Sequence, residues 1–134
     1  SGALAAWVCA MTLVWSVALA LFLHPADQTT GYRAVFTELG TRVPAQTSCV
    51  SSLGLGESER GMLHYYAGLK TRRIEVDSGA AARCPLRFEQ ERLDGKGRRQ
   101  DPAYGCPEGR ILWEGRRPEE TRGVFRLCEA SRAG

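Results

Sequence analysis

GALAAWVCAMTLVWSVALALFL, residues 2–23, decides how the chain is read, because it holds not one charged side chain. As a helix rising about 1.5 Å per residue it is about 33 Å long, which matches a bilayer hydrocarbon core of about 30 Å. Inside a membrane the backbone must satisfy its own hydrogen bonds, so such a run is helical. Apolar residues lie all round it, whereas a soluble surface helix keeps a polar face. A cleaved secretory signal fits less well. No Lys or Arg precedes the run, and Ala18-Leu19-Ala20, a poor small-x-small cleavage site, is followed by more apolar chain at Leu21-Phe22-Leu23. A buried soluble helix is the other alternative. The reading adopted is a transmembrane helix over 1–24, the last span of a longer polytopic protein, in contact with lipid and with upstream helices of the same chain. Trp7 and Trp15 lie too far apart to make an interfacial belt.

Charge begins at Asp27, so the polar part carries the whole formal net charge of +3. That excess is mild and makes no case for a nucleic-acid partner. The polar part is large enough for one modest core and too small for two. Four of the five cysteines, Cys49, Cys84, Cys106 and Cys128, lie in it, and Cys9 lies in the span. An even count behind a membrane span suggests disulfides on an oxidising, extracytoplasmic side. The alternatives are reduced thiols in a cytosolic domain, or a zinc site. The latter is weaker, because the spacings are wide, no C-x-x-C pair occurs, and only His24 and His64 add nitrogen ligands. Charge does not settle the orientation, since long domains cross a membrane regardless of their Lys and Arg.

Along the polar part, His24-Pro25 ends the span. Asp27-Gln28-Thr29-Thr30 reads as a capped linker. Tyr32, Val35, Phe36 and Leu39 then share one helix face, with Gly40 as the stop. Residues 25–46 are thus a linker and an amphipathic helix. That helix either packs on the domain or lies at the membrane surface, and core packing is favoured. From 47 to 134 the pattern is a soluble α/β domain. Residues 47–53 read as a strand, and Glu57–Leu69 as a helix burying Met62, Leu63, Tyr66 and Leu69. Arg72–Val76 follow as a strand with Ile74 and Val76 on one face. Strand–helix–strand at this length implies parallel strands. Asp77–Ala80 is a turn. Cys84–Glu91 alternates, with Leu86 and Phe88 inward and Arg87, Glu89 and Glu91 outward. Leu93–Gly109 is a long exposed loop. Residues 110–114 and 122–129 are strands, read as a hairpin, and 130–134 is a frayed tail. The fold expected is a mixed sheet of about five strands with two helices. The hairpin brings Cys128 within reach of Cys106, leaving Cys49 to pair with Cys84, although four cysteines allow three connectivities.

Catalytic chemistry is thin. Gly54-Leu55-Gly56-Glu57-Ser58-Glu59 lies between strand and helix, where anions bind, but it matches no phosphate-loop pattern. Its two glutamates repel phosphate, so a structural loop is favoured. His64 has no nucleophile tied to it by motif. Glu89, Glu91 and Asp94 beside Arg87 and Arg92 read as a solvated face. Arg116, Arg117, Arg98 and Arg99 are candidates for anionic head-group contacts, with solvated charge the simpler reading. Trp113 beside Glu114 either presents a ring to a sugar or is core, and core is favoured because it alternates with Ile111. No catalytic, cofactor or metal residue is assigned.

Several segments together resemble the carboxyl-terminal region of bacterial polytopic glycosyltransferases of the aminoarabinose transferase and protein mannosyltransferase type. They are the span, Tyr32-Arg33 to Leu39, Cys49-Val50-Ser51-Ser52-Leu53-Gly54 running into Glu57-Ser58-Glu59-Arg60, Leu63-His64-Tyr65-Tyr66-Ala67-Gly68, Cys84, and Leu112-Trp113-Glu114-Gly115-Arg116-Arg117-Pro118. The loop Leu93–Gly109 departs from that pattern. The resemblance implies an inner-membrane parent enzyme that transfers a sugar from a polyprenyl-phosphate donor to a lipid or protein acceptor outside the cytoplasm. Its acidic catalytic residue would lie in upstream loops, and this region would be a periplasmic accessory domain. The rival expectation is a single-span protein whose periplasmic domain binds a partner and catalyses nothing.

Overall fold

Gly2–Leu23 forms one continuous helix, α1, long and apolar enough to cross a membrane. Its two central hydroxyls are satisfied by its own backbone: Thr12 Oγ1 donates to the Val8 carbonyl at 2.9 Å and Ser16 Oγ to the Thr12 carbonyl at 2.7 Å. Such back-bonding is what hydroxyls need where no water is present. The structure, a computed structural model, describes residues 1–23, 27–118 and 120–130. The stop at His24-Pro25 and the tail beyond Ala130 lie outside them.

The chain divides into two compact units, Ser1–Gly31 and Tyr32–Gly134. In the second, a five-stranded sheet carries two helices on one face. The elements are α2 (Asp27–Arg42), β1 (Val50–Leu53), α3 (Glu57–Ala67), β2 (Thr71–Arg73), α4 (Ala80–Arg83), β3 (Leu86–Arg92), β4 (Gly109–Gly115) and β5 (Gly123–Ala130). Strand order is β2-β1-β3-β5-β4. β1 is parallel to both β2 and β3, whereas β5 is antiparallel to both β3 and β4. The mixed α/β class, the parallel β1–α3–β2 unit and the antiparallel C-terminal hairpin thus agree with the expectation from pattern.

The core lies between the sheet and α2 with α3. Tyr32, Val35, Phe36 and Leu39 of α2 and Leu63 of α3 cover Val50, Leu86, Phe88, Trp113, Phe125 and Leu127. Phe88 and Phe125 stack at 5.8 Å between ring centroids, and Phe36 meets them edge-on at 6.2 and 5.3 Å. Full burial of one such ring contributes about 1.5–3 kcal/mol, so this aromatic triplet anchors the helix to the sheet. The amphipathic helix is therefore part of the domain core, and the compact unit starts at Tyr32 rather than at residue 47.

Several local expectations are corrected. Asp27–Thr30 is the first turn of α2, not a linker, and Gly40 lies inside the helix. Gly40 marks a close crossing instead: a Cβ there would sit 3.4 Å from the Cα and Cβ of Ala67 at the end of α3. α3 stops at Gly68, which adopts the left-handed conformation and donates its N–H to the His64 carbonyl. β2 ends at Arg73, and residues 74–76 turn away, leaving Val76 75 % exposed. Ala80, read as turn, opens the single helical turn α4 with its side chain fully buried. In β4 a bulge between Ile111 and Trp113 breaks the alternation, so Trp113 is core while Ile111 is 45 % exposed.

Candidate functional site

The charged residues of β3 lie on the sheet face opposite Phe88. Alternation puts Arg87, Glu89 and Glu91 there, and polarity alone assigns that face to water. The structure corrects this: Glu89 and Glu91 are 0 % and 1 % exposed. The cover comes from the segment between β3 and β4, which the sequence presents as a free loop. Four ties hold it to the sheet. Cys106 is bonded to Cys128 of β5, with Cα atoms 5.6 Å apart. The Gly105 N–H donates to Glu89 Oε1 at 2.5 Å, and Arg99 Nε to Glu91 Oε1 at 3.0 Å. Arg87 Nη2 donates to the Ala103 carbonyl. Two residues of the turn take positive φ, Gly105 at 84° and Cys106 at 56°, the latter unusual for a residue with a Cβ.

Arg126 sits at the centre of this face, 6 % exposed. Register explains its partners, because it lies opposite Glu89 on β3 and opposite Glu114 on β4. Its Nε donates to Glu114 Oε2 at 2.9 Å, and its Nη1 reaches Glu91 Oε2, with Glu89 Oε1 at 3.5 Å. Arg87 Nη2 pairs with Glu89 Oε2 at 2.8 Å. Burial works against the Arg126 charge, yet the hydrogen bonds to Glu91 and Glu114 outweigh it and raise its pKa. Three guanidinium groups (Arg87, Arg99, Arg126) thus meet three carboxylates (Glu89, Glu91, Glu114), leaving no net charge. Sequence reasoning missed Arg126. The available signal was an arginine in the middle of an otherwise apolar strand, where a charge persists only if paired.

The cluster is built for structure more than for reaction. Glu89 and the sulfurs of Cys106 and Cys128 offer three ligand atoms within 4.8 Å of one another, but the two sulfurs are spent on each other. A disulfide offers no thiolate to a soft metal. Both carboxylates already accept from arginine and backbone donors, so neither is a free base.

A second knot lies on the helical side. The Tyr32 hydroxyl donates to Glu59 Oε1 at 3.2 Å, and the Arg117 guanidinium stacks 4.5 Å from the Tyr32 ring centroid while pairing with Glu120 at 2.9 Å. Burial raises the Tyr32 pKa above its ordinary value, assisted by Glu59 and opposed by Arg117. Burial also works to raise the Glu59 pKa, but hydrogen bonds from its own backbone and from the Ser58 and Tyr32 hydroxyls hold it below the usual range.

The four candidate head-group arginines fall in different settings. Arg99 and Arg117 are engaged within the domain. Arg98 pairs with Asp94 at 3.2 Å on the exposed loop, and Arg116 is exposed. His64 is exposed on α3. At the β1–α3 loop, Gly54 has φ 74° and donates its N–H to Glu75 Oε1 at 2.7 Å, so the chain's own carboxylate fills the anion-seeking position. Cys49 is bonded to Cys84, Cα atoms 5.0 Å apart, joining the starts of the parallel strands β1 and β3. Both disulfides follow the pairing expected from the hairpin. No family model, no curated protein and no solved structure matches the chain.

Proposed function

We propose that the chain is the accessory C-terminal region of a bacterial inner-membrane glycosyltransferase, with α1 as a span and the sheet domain in the periplasm. The observation that carries the extracytoplasmic side is the pair of disulfides in a domain that follows a membrane-length helix. Such bonds persist on the oxidising side and are rare in the cytosol. The glycosyltransferase reading rests on the sequence resemblance. Three of the resembling segments meet in the fold, where Tyr32, Glu59 and Arg117 form one knot around the Tyr32 ring. The parent would draw on a polyprenyl-phosphate sugar donor and pass the sugar to a lipid or protein acceptor. The buried charges described in this domain are paired with one another, which suits an accessory role with the catalytic residue in upstream loops.

Labelling spheroplasts with a membrane-impermeant maleimide tests the side. Labelling of the four domain cysteines from outside only after an added reductant is the expected result. Labelling only after the membrane is opened would place the domain in the cytoplasm. Reading the gene upstream of Ser1 tests the parent. A frame with many more apolar spans and an acidic residue in its first extracytoplasmic loop is expected, whereas a start codon within a few residues would leave a single-span binding module.

A further inference from the structure

The two disulfides differ in what surrounds them. Cys106 and Cys128 are both buried, beneath the loop that three further contacts hold down. Cys84 is buried too, but Cys49 is only half-buried and lines a cavity of about 360 Å³. That cavity lies between Val43 and Pro44 after α2, the approach to β1 at Thr47 and Ser48, and the end of α3. Among the described residues, Lys70 is the one charged residue lining it.

Thiol–disulfide exchange requires an attacking thiolate to reach one sulfur, so access decides which bond and which sulfur react. Of the four bonded cysteines, Cys49 alone is not buried, and it borders the cavity. The C-terminal carbonyls of α3 disfavour an incoming anion. The Gly68 N–H caps the His64 carbonyl, and Lys70 places a positive charge in the cavity lining.

We propose that Cys49–Cys84 is an exchangeable disulfide, and that Cys49 is a site of reversible S-thiolation by a low-molecular-weight thiol, while Cys106–Cys128 stays closed. The thiolate forms a bond to Cys49 Sγ and the Cys49–Cys84 bond breaks. Its electron pair leaves on Cys84 Sγ, which takes a proton from water. In the reverse direction the Cys84 thiolate attacks Cys49 Sγ and expels the small thiol. No other oxidant or reductant is needed. The inference does not depend on the glycosyltransferase reading.

The test uses the full chain in detergent micelles, in a Cys9→Ser background, treated with reduced glutathione under native conditions. Samples are quenched in acid, alkylated, digested and read by mass spectrometry. The expected result is a glutathione adduct on Cys49 with an alkylated Cys84, appearing at least about tenfold faster than any change at Cys106 or Cys128. Adduct arising first on Cys84, both disulfides opening at one rate, or neither opening until denaturant is added would each overturn the proposal. Two variants make it sharper. With Cys84→Ser, the freed Cys49 thiol should react with an aromatic disulfide in the native protein. With Cys49→Ser, the Cys84 thiol should stay silent until the domain unfolds. The opposite pattern would contradict the assignment of Cys49 as the open sulfur.

Discussion

Arg126 is held by three carboxylates at once. Its guanidinium is desolvated between β3 and β4, and three glutamates face it. Removing one member of such a cluster leaves buried charge without a partner, which costs about 3–5 kcal/mol. Arg126→Met should therefore destabilise the domain by that amount in urea denaturation, and a loss below about 1 kcal/mol would contradict the reading of the face as a closed network. Acid acts on different groups. Backbone N–H donation from Arg122 and Gly123 holds the Glu120 carboxyl below its ordinary range against opposing burial, and hydrogen bonds do the same for Glu59. A carboxyl depressed in the fold binds its proton more readily in the unfolded chain. Its stabilising contribution is present above the unfolded pKa, about 4.3 for Glu, and is lost as pH falls through the folded value. Melting temperature should accordingly hold above about pH 5 and decline below it, less steeply in a Glu59→Gln, Glu120→Gln double variant.

At the scale of elements, the β1–α3 connection is the least forgiving. Gly54 combines positive φ with a crowded position: a Cβ would sit 2.5 Å from both the Gln90 carbonyl oxygen and the Tyr104 hydroxyl. Gly54→Ala should cost about 1–3 kcal/mol through backbone conformation, with loop displacement added. Equal denaturation midpoints for the variant and the parent would show that the loop adapts freely. Gly40 contrasts with it. Its φ is helical and the crossing with Ala67 leaves 3.4 Å, a limit where one methyl just fits. The gain in helix propensity, up to about 1 kcal/mol, opposes that crowding, so Gly40→Ala should be near neutral, whereas Gly40→Leu should loosen α2 from α3 by about 1–3 kcal/mol. Chemical denaturation of the two variants side by side reads the difference.

For the whole molecule, the disulfides close loops of 35 and 22 residues in sequence separation. In a chain-entropy account each such closure stabilises by about 3–4 kcal/mol. Cys106→Ser and Cys128→Ser should each destabilise the domain by about 2–5 kcal/mol, and indistinguishable melting with and without reductant would contradict this. At the level of the proposed parent enzyme, exposed His64 touches neither charge cluster. His64→Ala should leave sugar transfer largely intact, and a loss beyond tenfold, about 1.4 kcal/mol in barrier, at unchanged expression would contradict the accessory role.

The sequence by itself determined most of the elements, though not all their ends, and the core side of the sheet. The charge-free run is a helix because nothing else suits its length and composition. Tyr32, Val35, Phe36 and Leu39 repeat at helical spacing, Leu86 and Phe88 alternate as a strand, and the hairpin that brings Cys106 to Cys128 follows from the two terminal strands. Those signals are local, so they survive without knowledge of the fold. Only the tertiary structure decided the far side of the sheet. Whether Glu89 and Glu91 meet water depends on a segment eight to sixteen residues further along the chain folding over them, and whether they tolerate burial depends on the register that sets Arg126 opposite. The same holds for Gly40, a stop signal by local rules and a helix-crossing point in space, and for Ile111, turned outward by a bulge that alternation does not encode. In each case a long-range contact outweighs the local preference, because burial and ion pairing act between residues that sequence proximity does not join.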